Sequence, residues 1–262
     1  MITGIFHKGS GLGNQLHRYV ATRVLALDRG YDFNMVGFPE LFKGSSFMEL
    51  ECSEEYIDYK IEQLSGKVIP CTLGLQQELP VWEEWDKHCY DPDINFVEDN
   101  TIIDGHFEDE RYFEHRIKEI DKWLKVEPIE MPDDWCVIGF RGGEYYTIPE
   151  LGLPKEYYDR AIQRMKEINP KMKFEIHTDD VELAKQFFPS GKIIRDIGIN
   201  WRSMRYAKYA IIANSSFYVL PRLLKHHDDS KSVTIAPRWW NRYNTKKWDY
   251  PQSYYKKFTY IV

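Results

Sequence analysis

Three short segments in the second half of the chain combine residue types suited to holding a phosphate. Phe140-Arg141-Gly142-Gly143-Glu144 sets a guanidinium ahead of two glycines and a carboxylate. A guanidinium meets a phosphate through two parallel hydrogen bonds, and glycine lets the backbone come close. His177-Thr178-Asp179-Asp180 carries adjacent carboxylates. Asn214-Ser215-Ser216 supplies amide, hydroxyl and backbone donors where a helix is expected to begin, a place that favours anions. Each has a plainer reading. Arg141 could pair with Glu144 at the surface, Asp180 could cap the following helix, and Ser215 could do the same. Three polar loops in equivalent positions favour a nucleotide-phosphate site over three coincidences.

The positions are equivalent because each loop follows a short apolar run. WCVIGF, KFEIHT, KIIRDIG, IIANSS and SVTIAP read as strands, and the intervening PKEYYDRAIQRMKEI, DDVELAKQFF, WRSMRYAKYA and FYVLPRLLKHH read as helices. Pro154 suits a first helical turn, and Asp179 or Asp180 suits a cap. Strands alternating with helices predict a parallel sheet covered on both faces. In such a sheet, ligands bind at the carboxyl ends of the strands.

The first half is less regular. Its opening MITGIF is followed by Gly9-Ser10-Gly11-Leu12-Gly13-Asn14-Gln15, a glycine-rich turn ahead of a helix through Leu27 that Gly30 stops. A dinucleotide fingerprint needs glycine at its first, third and sixth positions. Counting from Gly9 puts Asn14 sixth and counting from Gly11 puts Leu16 there, so the fingerprint fails. DFNMVGF and Asn100–Phe107 predict strands, and Glu110–Leu124 a helix. Phe38 to Cys89 shows no clean periodicity. Pro128 and Pro132, among acidic residues, mark a linker. The expected division is a first α/β domain over 1–127, a second over 133–250, and a tail over 251–262 placed to pack back on the first.

Composition narrows the function. The hydrophobic fraction of 43% is that of a globular protein, and a net charge of −6 without a basic block argues against nucleic-acid partners. Most of the eighteen tyrosines and eight tryptophans are expected to fill the core. Cys52, Cys71, Cys89 and Cys136 have no metal-ligand spacing and read as reduced intracellular thiols. No apolar run reaches the roughly 18 residues of a membrane span, so a cytoplasmic protein without a transmembrane segment is expected.

Six segments in order resemble glycosyltransferase family 11, the alpha-1,2-fucosyltransferase-like group. They are GLGNQL at the start, GHFEDERYF in mid-chain, FRGGEYY against a His-x-Arg-Arg-Gly-Asp-Tyr motif, IHTDDVELAKQFF, IIANSSF and TIAPRWW. The resemblance implies a GT-B enzyme with two Rossmann-like domains facing each other across a cleft. It implies inverting, metal-independent transfer of L-fucose from GDP-fucose, the donor substrate, to a hydroxyl of an oligosaccharide or glycan acceptor. No cofactor is implied. Gly11, Gly13, Asn14 and Gln15 would then form the first-domain loop on the diphosphate or acceptor. Gly143, Asn214, Ser215 and Ser216 would hold the donor phosphates, and Asp179 or Asp180 the donor nucleoside. Arg141 would offset charge on the leaving diphosphate. Glu144 is the first choice of base for the acceptor hydroxyl, with Asp109 and Glu108 as fallbacks.

The motif is not intact. Its histidine position is Gly139, its second arginine Gly142 and its aspartate Glu144, while YVLPRLL follows NSSF where the family has Trp-Trp. These positions shape the donor and acceptor pockets, which leaves a different donor sugar or a binding protein without catalysis as alternatives. A dinucleotide-dependent oxidoreductase is favoured by the glycine loop alone. Asp91-Pro92-Asp93 has the form of a metal-holding Asp-x-Asp, but proline between the carboxylates and no strand upstream favour a turn.

Overall fold

The computed structural model describes residues 1–52, 68–70, 90–148, 151–239 and 255–262. The chain divides into two compact units, Met1–Lys125 and Val126–Val262. Each is α/β with a wholly parallel sheet among the described residues.

In the first unit, β1 (Ile2–Ile5) is buried at all four positions, as a strand covered on both faces must be. It lies between β2 (Phe33–Val36) and β4 (Thr101–Asp104), and β3 (Val68–Pro70) pairs with β4, giving the order β2-β1-β4-β3. Helix α1 (Leu12–Arg29) buries Leu16, Tyr19, Val20 and Val24. Gly30 ends it in the left-handed conformation, with its N–H returned to the Ala26 and Leu27 carbonyls.

The helix expected over Glu110–Leu124 is mostly not one. Only α2 (Ile117–Trp123) is α-helical, preceded by the 3-10 turns Glu110–Tyr112 and Glu114–Arg116. Asp109 caps the first turn at Arg111 N, and Tyr112 and Phe113 are buried together, which a continuous helix would have carried round its axis. Asp91-Pro92-Asp93 is the turn its proline suggested: Asp91 accepts from Asp93 N at 3.0 Å and caps the 3-10 segment Pro92–Phe96.

In the second unit, β5 (Trp135–Phe140) and β6 (Lys173–Thr178) form the centre of a sheet completed by β7 (Lys192–Ile194), β8 (Tyr209–Ile211), β9 (Val233–Pro237) and β10 (Thr259–Ile261). Its order is β10-β9-β8-β5-β6-β7. Starting from β5, this is the doubly wound order in which the first strand sits between the second and the fourth. The segments set apart as a tail therefore end in an edge strand of this sheet, because Thr259–Ile261 find backbone partners on Ile235–Pro237.

The connections are α3 (Glu144–Thr147), α4 (Lys155–Ile168), α5 (Val181–Phe187), α6 (Ile197–Tyr206) and α7 (Val219–Asp228). Helix α6 starts earlier than WRSMRYAKYA suggests. Asp196 accepts from Ile199 N at 2.7 Å and opens the helix at Ile197, and Tyr209–Ile211 are freed to make β8. Aromatic packing is prominent: the rings of Phe140, Tyr146, Tyr158, Phe187 and Phe188 pair at centroid distances of 4.9–6.2 Å. Such pairs add about 0.5–1.5 kcal/mol each beyond their burial. Cys136 is buried and Cys52 half-buried, both as free thiols; Cys71 and Cys89 lie outside the described residues. No helix among the described residues is long and apolar enough to cross a membrane.

Candidate active site

The second unit's strand order reverses between β5 and β8, so its ligand crevice is expected at their carboxyl ends. The loop after β5 carries Arg141 to Glu144, the loop after β8 carries Asn214 to Ser216, and the neighbouring β6 ends at Thr178 ahead of Asp179 and Asp180. The topology thus brings together all three segments that the sequence singled out.

Arg141 is held from two sides. Its Nη1 is ion-paired with Asp179, and its Nη2 donates to Glu144 Oε1 at 2.9 Å. The guanidinium also lies 5.0 Å from the centre of the Tyr145 ring. Asp179 accepts from Gly142 N at 2.7 Å, and Asp180 accepts from Gly143 N at 3.1 Å and from Leu183 N at 3.0 Å. Asp180 is therefore both the cap of α5 and the tether of the glycine loop. Hydrogen bonds from the Leu183 and Gly143 backbone hold its carboxyl below the usual range. Gly142 is required where it stands, since a Cβ there would lie 2.5 Å from the Asp180 Cβ. Gly143 has φ 53°, a conformation that L side chains rarely adopt.

Beneath this loop, His177 is fully buried and bridges Glu175 at 2.8 Å and Asn200 at 2.7 Å, while Lys192 reaches Glu175 at 2.5 Å. Burial pushes the Glu175 carboxyl up, but hydrogen bonds from His177 and Lys192 outweigh it and leave it below the usual range. These bonds fix the end of β6, on which Asp179 and Asp180 ride.

Of the third segment, Asn214 is buried and donates to the Leu151 carbonyl at 3.0 Å. Ser215 is buried at the start of the turn Ser216–Tyr218 and makes no side-chain capping bond, so the plainer reading of it fails. Tyr218, which the sequence reading missed, lies against Gly139. Burial drives its phenol well above the ordinary range, so it stays protonated.

In the first unit, β1 and β4 are neighbours and their carboxyl ends carry a second polar cluster. His7 Nε2 lies 2.8 Å from Asp104 Oδ1, and Arg18 from α1 is ion-paired with the same carboxylate. Burial pushes Asp104 up, but the hydrogen bond from His7 and the charge of Arg18 prevail and hold it below the usual carboxylate range. Asn14 Nδ2 approaches His106 Nδ1 at 3.4 Å. The signal for His7, Asp104 and His106 was their place just at or past a strand end, the criterion applied in the second half alone.

The remaining first-unit candidates separate. Gly11 is the exposed N-cap of α1, and Gly13 gives its carbonyl to His17 Nδ1–H at 2.9 Å. Gln15 is corrected: it is buried, donates to the Leu41 carbonyl at 2.6 Å and accepts from Lys43 N at 3.0 Å. With both ends of its amide used, it staples residues 41–43 to α1. Asp109 is corrected as a fallback base, because its two oxygens accept from Arg111 N, Nε and Nη2 at 2.7–2.9 Å. Glu108 stands beside it, half-buried.

No protein-family model matches the chain. An alpha-1,2-colitosyltransferase of Escherichia coli is 31% identical over 160 residues, 52% of this chain and 54% of that protein. The chain thus spans about half the length of the curated relative it matches. Among solved structures, POFUT1 in complex with GDP aligns with a TM-score of 0.52 at 11% identity, covering 90% of this chain and 97% of that one. POFUT1 in complex with GDP-fucose gives 0.50 at 8%, covering 90% and 96%. At these identities the likeness is one of fold, and the fold is GT-B-like, with two Rossmann-like α/β units. The six motifs that resemble glycosyltransferase family 11 thus stand beside a relative named as a glycosyltransferase, to which the chain is similar over about half its length.

Proposed function

We propose that the chain is an inverting glycosyltransferase that moves L-fucose from GDP-fucose to a hydroxyl of a glycan, without a metal ion. The observation that carries the reading is Arg141, clamped at the switch point of the second sheet beside two glycines. Glu144 is the more exposed of its two carboxylate partners. A donor phosphate can take the place of Glu144 on the guanidinium fork while Asp179 keeps the fork aimed. As the bond from the anomeric carbon to phosphate breaks, Arg141 meets charge growing on the departing diphosphate. Asn214, Ser215 and Ser216 would bind the same phosphates, with the Gly143 backbone close to them. Asp179 and Asp180 order the loop, and one of them would also meet the donor nucleoside.

The similarity to an alpha-1,2-colitosyltransferase favours a second donor sugar, colitose. The test is a titration with GDP, GDP-fucose, GDP-mannose, nucleotide-activated colitose, UDP-sugars, dTDP-rhamnose and NAD, followed by thermal unfolding without added metal. Stabilisation by GDP and GDP-fucose is expected. Stabilisation by NAD alone would overturn the reading, and donor binding with no transfer to any acceptor would make the protein a binding module.

A further inference from the structure

Tyr218 sits wholly within the second unit, at the crevice between β5 and β8 where Arg141 stands. It is the first residue after NSSF, and its ring fills the room that Gly139 leaves on β5. The ring is fixed there. Tyr218 is only 4% exposed and packs edge-on against Phe217 at 5.3 Å, which in turn meets the fully buried Trp201 at 5.8 Å. Its backbone N–H returns to the Ser215 carbonyl at 3.1 Å, closing the turn that opens α7.

Its hydroxyl is left over. It does not cap α7 and has no hydrogen-bond partner among the described residues. Nor is it sealed in like the hydroxyl of Tyr158, so the little of Tyr218 that solvent reaches includes its polar end. Buried polar groups are nearly always paired, and one left open on a crevice is completed by a ligand atom.

The neighbours say what kind of atom. Burial raises the phenol above its ordinary range against the charge of Arg141, so it is an O–H donor within the field of that guanidinium. A donor beside a guanidinium, next in the chain to Ser215 and Ser216 and at the N-cap of α7, suits an acceptor that carries negative charge. The protein's own carboxylates there are taken: Asp179 and Glu144 hold Arg141, and Asp180 holds the backbone of residues 143 and 183. A sugar hydroxyl would satisfy the O–H and leave the guanidinium unanswered.

We propose that the Tyr218 hydroxyl donates a hydrogen bond to the diphosphate of the nucleotide sugar, beside Arg141; this rests on the glycosyl-transfer reading above. Tyr218 is then a donor-binding residue, admitted to the crevice because position 139 has no side chain. With its ring locked, the hydroxyl is in place before the diphosphate arrives and meets the charge that grows on it as it leaves.

The test compares wild type with Tyr218→Phe, which keeps the ring and removes the hydroxyl alone, by calorimetric titration with GDP, UDP, dTDP and guanosine. The melting temperature of the unliganded variant should equal or exceed that of wild type, because no protein group loses a partner. Affinity for GDP, or for whichever diphosphate wild type binds, should fall about tenfold or more, the loss of a hydrogen bond to a charged group. Guanosine affinity should not change. Diphosphate affinity within twofold of wild type, an equal loss for guanosine, or a lowered melting temperature would each overturn the assignment. The two readings fail separately: wild type and Tyr218→Phe binding GDP equally keeps the donor site and loses Tyr218, whereas a wild type that binds no nucleotide ends both.

Discussion

The ring of Tyr218 occupies the space that a side chain at residue 139 would need: a Cβ on Gly139 would lie 2.6 Å from its Cε1 and 2.7 Å from its Cζ. Gly139, which stands at the motif's histidine position, therefore leaves no room for a side chain while Tyr218 keeps its place. Gly139→Ala should destabilise the second unit by about 1–3 kcal/mol, the usual cost of overpacking. Tyr218→Ser should relieve much of that cost in the double variant. Urea unfolding of the four proteins measures the coupling, and strictly additive effects would show that the ring yields without cost.

On the proposed reading, Arg141 acts through its fork as well as its charge. Arg141→Lys keeps the charge but cannot meet Asp179 and a phosphate with a planar pair of donors. Calorimetric titration should find GDP binding weakened at least tenfold in Arg141→Lys and abolished in Arg141→Ala, with both variants folded. Wild-type affinity in Arg141→Lys would reduce the role to a point charge.

Glu144 holds the guanidinium at 2.9 Å, and on the proposed reading a donor phosphate displaces it. Glu144→Gln should bind GDP as tightly as wild type or a few-fold more tightly, and retain most of its turnover. A fall in kcat of about 10²-fold or more would instead make Glu144 the base.

His17 makes the first unit sensitive to acid. It is fully buried, and burial lowers its pKa to about 4 from the ordinary 6.5, against the opposing hydrogen bond to Gly13. The unfolded chain takes up this proton below pH 6.5, while the folded chain resists until about pH 4. Stability is thus complete above about pH 6.5 and falls as the pH drops toward 4, by about 3 kcal/mol over the gap. The paired Asp104 works in the same direction at lower pH, since protonating it removes its ion pair. Unfolding at pH 7.5 and pH 5 should show a smaller difference in His17→Phe than in the wild type, because the ring beside Phe113 no longer titrates.

What the sequence determined alone was whatever local chemistry decides. The run WCVIGF is uniformly apolar and became the central strand, Gly30 stopped α1, Asp180 capped α5, and Arg141, Gly142 and Gly143 stood where a strand end and close backbone approach require them. The helix expected over Glu110–Leu124 failed because Asp109 and two buried aromatics override a helical periodicity only weakly written. Gln15 was indistinguishable from a ligand-facing amide until residues 41–43 came to meet it. The pairing of Thr259–Ile261 with β9 joins backbone groups distant in sequence, and no propensity of those residues announces it. His7 and Asp104 are 97 residues apart. Only parallel pairing of β1 with β4 lays their carboxyl ends side by side, so the sequence supplied an imidazole and a carboxylate and the sheet alone made them neighbours.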